Sequence, residues 1–108
     1  MILIIRRKAT EEEIGKMSVD ISGYIKVVVD IEKNILAGGG KRHVDAEQIL
    51  LAYGSKQENL WGGGFDLDTK QVDYNSMINV RPRLQNFSRD IMSGEIRKKF
   101  DRILKLLV

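Results

Sequence analysis

Cysteine is absent from the 108 residues. Disulfides, thiolate metal sites and thiol nucleophiles are therefore excluded, and the absence fits a reducing compartment. Long apolar runs are also absent. The opening Met1-Ile2-Leu3-Ile4-Ile5 is followed at once by Arg6, Arg7 and Lys8, too short a stretch for the core of a secretory signal. No run approaches the roughly 18–20 residues that a bilayer span needs. These absences predict a soluble, cytoplasmic protein with no membrane partner. Proline occurs once, at Pro82, and histidine once, at His43. No internal repeat, low-complexity tract or dividing linker is visible.

What is present fits one globular domain over residues 1–108. A chain of this size buries well over half of the surface that its unfolded form exposes, so a core is feasible without staples. Hydrophobic residues make up 43% and charged residues 31%, the ordinary balance for such a core and its solvated surface. The charge is uneven. Residues 1–80 carry a balance of −2 and residues 81–108 a balance of +5, within a net +3. A basic C-terminal quarter suits nucleic acid or an acidic protein, although a solvated helix face with a basic loop is the preferred explanation.

Met1 to Arg6 reads as a strand. Thr10-Glu11-Glu12-Glu13 forms a capping box, and Ile14, Met17 and Ile21 follow at helical spacing, with Gly23 placed to end the helix. Tyr24 to Glu32 is the strongest strand. Its Val27-Val28-Val29 is β-branched on both faces, which predicts a central position with both sides covered. Glu32-Lys33-Asn34 is a turn with Asn34 suited to the left-handed conformation, and Ile35-Leu36-Ala37 returns. Arg42 to Tyr53 reads either as a short helix or as a strand. The strand is preferred, because no helical period extends far. Leu60-Trp61 and Phe65 to Asp68 read as a strand interrupted by Gly62-Gly63-Gly64, and Val72 to Val80 as another, stopped by Pro82. Ser93 caps a final helix with Ile96, Phe100, Ile103, Leu104 and Leu107 on one stripe. The expected class is α+β. The order is β-α-β-β-β-β-β-α, with a mostly antiparallel sheet of about five or six strands and helices on one face.

Three sets of residues are candidates for chemistry. On a strand, His43, Asp45 and Glu47 share one face, where an imidazole and two carboxylates suit a divalent metal, with Asp30 or Glu32 completing the set. A solvent-facing edge strand has the same pattern, and on a helix Glu47 no longer shares a face with both others. Gly38-Gly39-Gly40-Lys41-Arg42 is rich in amides and positive charge and suits an anion, but it lacks the spacing and the Ser or Thr of a nucleotide loop. Arg81, Arg83 and Arg89, with Gln85, Asn86 and Phe87 nearby, suit a phosphate or nucleic-acid surface, or structural ion pairs. Ser55 lacks the context of a hydrolase nucleophile, and Asp66 with Asp68 reads as a solvated strand face.

Six segments carry a resemblance: Ile25 to Glu32, His43 to Glu47, Gly54 to Gly62, Ile78 to Pro82, Asn86 to Arg89 and Glu95 to Arg97. The pattern resembles an uncharacterised domain-of-unknown-function family of short bacterial and archaeal proteins, from about residue 24 to the end. The resemblance implies a stand-alone prokaryotic domain and brings no activity, cofactor or site residue with it.

Two function classes follow. The first is a binding or regulatory module whose basic C-terminal surface meets nucleic acid or an acidic protein, or which pairs with a copy of itself through a sheet edge. The second is a metal-dependent hydrolase or nuclease built on His43, Asp45 and Glu47. The first is preferred, because the second requires a strand, a shared face and a fourth ligand all at once.

Overall fold

The computed structural model describes every residue from 1 to 108. The chain runs β1 (Leu3–Ile5), α1 (Glu11–Met17), β2 (Tyr24–Asp30), β3 (Ile35–Gly38), α2 (His43–Tyr53), β4 (Leu60–Asp66), β5 (Val72–Asp73) and α3 (Gly94–Leu107). The class is α+β. Five strands form one antiparallel sheet in the order β1-β3-β2-β4-β5. No helix is long and apolar enough to cross a membrane.

The β-branched core of β2 occupies the centre of the sheet, where both faces are covered. Ile25, Val27 and Val29 meet Met17 of α1 and Phe100, Ile103, Leu104 and Leu107 of α3 on one face. Val28, with Ile35, Ala37 and Leu60, meets Ala46 and Leu50 of α2 on the other. Helices therefore cover both faces rather than one, because residues 43–53 are helical rather than extended. The buried positions of α2 are Ala46, Glu47 and Leu50, a helical i, i+1, i+4 set. One of the three is a carboxylate, which breaks the apolar stripe that periodicity looks for.

Thr10 caps α1 as its sequence predicts, with Thr10 Oγ1 accepting from Glu13 N and Glu13 Oε1 from Thr10 N. The helix ends at Met17, not near Gly23, which instead takes φ +75° before β2. Asn34 adopts φ +57° in the β2–β3 hairpin. The carboxylate of Asp30, fully buried, holds that hairpin by accepting from Glu32 N, Lys33 N and Ser55 Oγ. Ser93 Oγ accepts from Ile96 N at the start of α3.

The second glycine triplet does not interrupt β4. It runs through the strand, and each glycine sits where a side chain has no room. A Cβ on Gly63 would stand 2.3 Å from the Asp73 carbonyl oxygen and 2.7 Å from Phe100 Cζ. On the other face, a Cβ on Gly62 would meet Ser76 Cβ at 2.6 Å, and one on Gly64 would meet Tyr24 Oη at 2.1 Å.

Past Asp73 the expected strand does not continue to Val80. Ser76 Oγ accepts from Ile78 N and starts a single 3-10 turn over Met77–Asn79. Two buried asparagines hold the following loop. Asn79 Oδ1 accepts from Gly62 N, and its Nδ2 lies 2.9–3.0 Å from the carbonyls of Gly62, Tyr74 and Arg89. Asn86 Oδ1 accepts from Met92 N, and its Nδ2 reaches the carbonyls of Asn79, Ser88 and Asp90. These side chains supply the pairing that a ladder would otherwise give to buried backbone.

Two alanine substitutions should act in opposite directions. Gly63→Ala overpacks a closed site and should cost about 3 kcal/mol or more. Gly15→Ala, inside α1 with nothing within 4 Å of the added carbon, should stabilise by roughly 0.5–1 kcal/mol through helix propensity. Chemical denaturation of the two variants against wild type checks the pair.

Candidate functional site

Helix α2 covers only part of its sheet face. Beyond its first turn lies a cleft of about 500 Å³ between β2, the start of α2 and the 73–89 segment. Its origin is local. Tyr24 and Lys26 alternate with Ile25 and Val27, so they point away from the α1–α3 core. Lys26 lies opposite Gly64 on β4, and Gly39 N donates to its carbonyl on the β3 side. Lys26 therefore stands between two positions without side chains, with the Tyr24 phenol lying over Gly64.

Tyr24 Oη donates to Asp73 Oδ2 at 2.5 Å, and Asn75 N donates to Asp73 Oδ1 at 3.1 Å. Both oxygens of that carboxylate are thus engaged by its own chain. Burial, followed by the bond and charge of Asp73, pushes the Tyr24 phenol well above the ordinary tyrosine range, so it remains a hydroxyl donor. His43 opens α2 and packs against β4 over Gly62, with Nε2 2.7 Å from the Gly63 carbonyl. A carbonyl only accepts, so Nε2 carries the proton and Nδ1 of the neutral ring is an acceptor. Burial lowers the His43 pKa, and the positive charges of Lys26 and Arg89 act in the same direction against the bond to Gly63 and the charge of Asp73.

Three cations line the cleft. Arg42 is committed to Asp45, with Nη2 and Nε donating at 2.9 and 3.2 Å to its two carboxylate oxygens. Lys26 and Arg89 form no ion pair and donate no side-chain hydrogen bond. Perturbed ionisable groups and unpaired cations in one concavity make this the candidate site.

The structure does not bring His43, Asp45 and Glu47 together. On a helix His43 and Glu47, four residues apart, share a face while Asp45 is turned away from both. His43 reaches Gly63, Asp45 turns to Arg42, and Glu47 is buried with Oε2 3.7 Å from Arg81 Nη2. Asp30, the candidate fourth ligand, is committed to its hairpin. No group of three or more His, Asp or Glu side chains gathers as a metal site would require.

The basic candidates separate in the same way. Arg81 is largely buried. Its Nε donates to Ile78 O, Nη1 to Gln57 O and Nη2 to Leu60 O, while the guanidinium carbon lies 5.0 Å from the Trp61 ring centre. It is a structural clamp. Arg83 faces a different shallow recess, shared with Lys56 and Glu58. In the first glycine loop, Gly40 N already donates to Asp20 Oδ2, which also takes the Met1 ammonium, and a Cβ on Gly39 would strike the Met1 carbonyl. The chain's own carboxylate thus fills the place expected for an anion, leaving Lys41 exposed beside it. Only Arg42 and Arg89 of that basic set, with His43 of the metal set, reach the cleft.

Sequence reading missed Tyr24, Lys26, Asp73 and Ser76. The available signal was the polar pair Tyr24 and Lys26 on one side of a central strand whose middle, Val27-Val28-Val29, is apolar.

A family model described as "Protein of unknown function (DUF5674)" matches residues 3–107. The chain belongs to the DUF5674 family. The match reaches from β1 through α3, so it takes in every part of the cleft as well as the segments that carry the resemblance from residue 24 onwards. No curated protein matches this DUF5674 chain, and no solved structure does.

His43 is the only histidine, so it is the one side chain whose ordinary pKa lies between pH 5 and 7. Its folded value lies below its unfolded value of about 6.5. The unfolded chain then binds more protons across that window, and stability should fall as pH drops below about 6.5. The lowered carboxylates Glu13, Asp20 and Asp66 act at lower pH. His43→Gln, which can still donate to Gly63, should flatten the loss of thermal stability between pH 7 and 5; a wild-type slope in that variant would contradict the assignment.

Proposed function

We propose that this DUF5674 protein is a binding module whose cleft receives a phosphate-bearing ligand. The observation that carries the reading is that Lys26 and Arg89 line one concavity with no carboxylate paired to either. A lysine on a sheet face among glycines gains little packing there, and its charge is left for something that enters. Asp73, the acidic residue of the cleft, is bonded by Tyr24 and Asn75 and pairs with neither cation.

The cleft is of a size that takes a nucleotide-sized group. The Tyr24 and Ser76 side chains, packed over Gly64 and Gly62, line the cleft and bring their hydroxyls to it as polar partners. The basic charge of residues 81–108 is divided: Arg81 clamps the interior, and Arg97 donates to Ile91 O while lying over the Tyr74 ring. The reading therefore centres on the cleft rather than on the whole C-terminal quarter. A cytoplasmic setting fits, given the absence of cysteine.

Isothermal titration with inorganic pyrophosphate tests the reading. Wild type should bind it with an affinity that falls as salt rises. Lys26→Met, which keeps the side chain's length and removes its charge, should weaken binding by about tenfold or more, on the order of the 1.5–3 kcal/mol of a charged hydrogen bond. Equal affinity in the two proteins would reject the assignment.

A further inference from the structure

Phe87 lies on the loop that carries Arg89 into the cleft. It is 67% exposed, whereas Phe65 and Phe100 are buried in the core. A phenylalanine on a loose loop can fold down onto its own protein. Here the backbone does not permit it. Arg81 and Asn86 exchange two main-chain hydrogen bonds at 2.8 and 3.1 Å, the Asn86 side chain is buried beneath, and Phe87 N donates to Met92 Sδ. The ring is thus held outward immediately after a buried anchor. Arg89 follows two residues later, so the two Cα atoms lie within about 7 Å of each other.

An outward aromatic two residues from an unpaired arginine, which itself lines a cleft with an unpaired lysine, matches one kind of polymer. A base stacks on the ring, and the adjoining phosphates meet Arg89 and Lys26. From this juxtaposition we propose that the partner is a single-stranded nucleic acid, bound with a base on Phe87 and its backbone led into the cleft. The proposal rests on the phosphate reading above and adds the aromatic contact. A duplex hides its base faces in the stack and offers Phe87 nothing, and an acidic polypeptide offers charge without a planar face.

The test uses the full chain, a labelled single-stranded oligonucleotide, a duplex of equal length, polyglutamate and inorganic pyrophosphate. Wild type should bind the single strand more tightly than the duplex or polyglutamate, with affinity falling as salt rises. Phe87→Ala should weaken the single strand roughly 5- to 100-fold, the range for losing one base stack, and leave pyrophosphate binding unchanged. Phe87→Trp should retain the single strand. Because the ring is exposed, neither change should disturb folding. Equal binding of the single strand by Phe87→Ala and wild type overturns the proposal, as does equal or tighter binding of the duplex or polyglutamate. Those results would leave the phosphate reading standing as long as Lys26→Met still loses pyrophosphate; unaltered pyrophosphate binding by that variant would defeat the phosphate reading itself.

Discussion

The structure depends on a strand that gives up its side chains. Gly62, Gly63 and Gly64 remove both surfaces of β4 over three residues. Phe100 and the Asp73 backbone close onto Gly63 from one side, while Ser76 and the Tyr24 phenol close onto Gly62 and Gly64 from the other. Glycine weakens a strand through its entropy. That cost is offset by approaches no other residue permits: α3 packs tightly, Tyr24 lies flat towards Asp73, and His43 reaches a main-chain oxygen. The cleft is lined by the side chains that settle on these glycines, Tyr24 and Ser76, together with the first residues of α2.

A second device holds what the sheet does not. Most of residues 74–92 lies outside helix and strand. The segment is pinned through amides, with Asn79 and Asn86 as buried hubs and Arg81 as a clamp on three carbonyls. An asparagine offers both donors and acceptors and can imitate a ladder over a short distance. Buried networks of this kind specify one arrangement, because each unpaired member would carry the full desolvation cost.

Local chemistry was readable in advance. Thr10 and Ser93 cap their helices, Asn34 takes the left-handed turn, and the valines of β2 lie at the centre of the sheet. Long-range chemistry was not. Residues 43–53 are good helix formers as a set, but the buried stripe of α2 contains Glu47, so periodicity favoured a strand and put three ligands on a face that does not exist. Arg81 and Arg89 look alike in the sequence; one is inside and one lines the cleft, because only the fold brings Gln57, Ile78 and Leu60 round the former. Lys26 was hidden for a related reason. Its significance lies in glycines thirty-eight positions away, across a strand pair.

The amide of Asn79 touches sheet and loop together. It bonds Gly62 on both sides and holds the backbone at Tyr74 and Arg89. The lysine of the sheet and the arginine of the loop are consequently parts of one rigid body rather than of a frame and a flap. For the phosphate-bearing ligand proposed above, a site of this kind would need no hinge to close, so association would be set by diffusion and charge and lifetime by the fit to a shape already made.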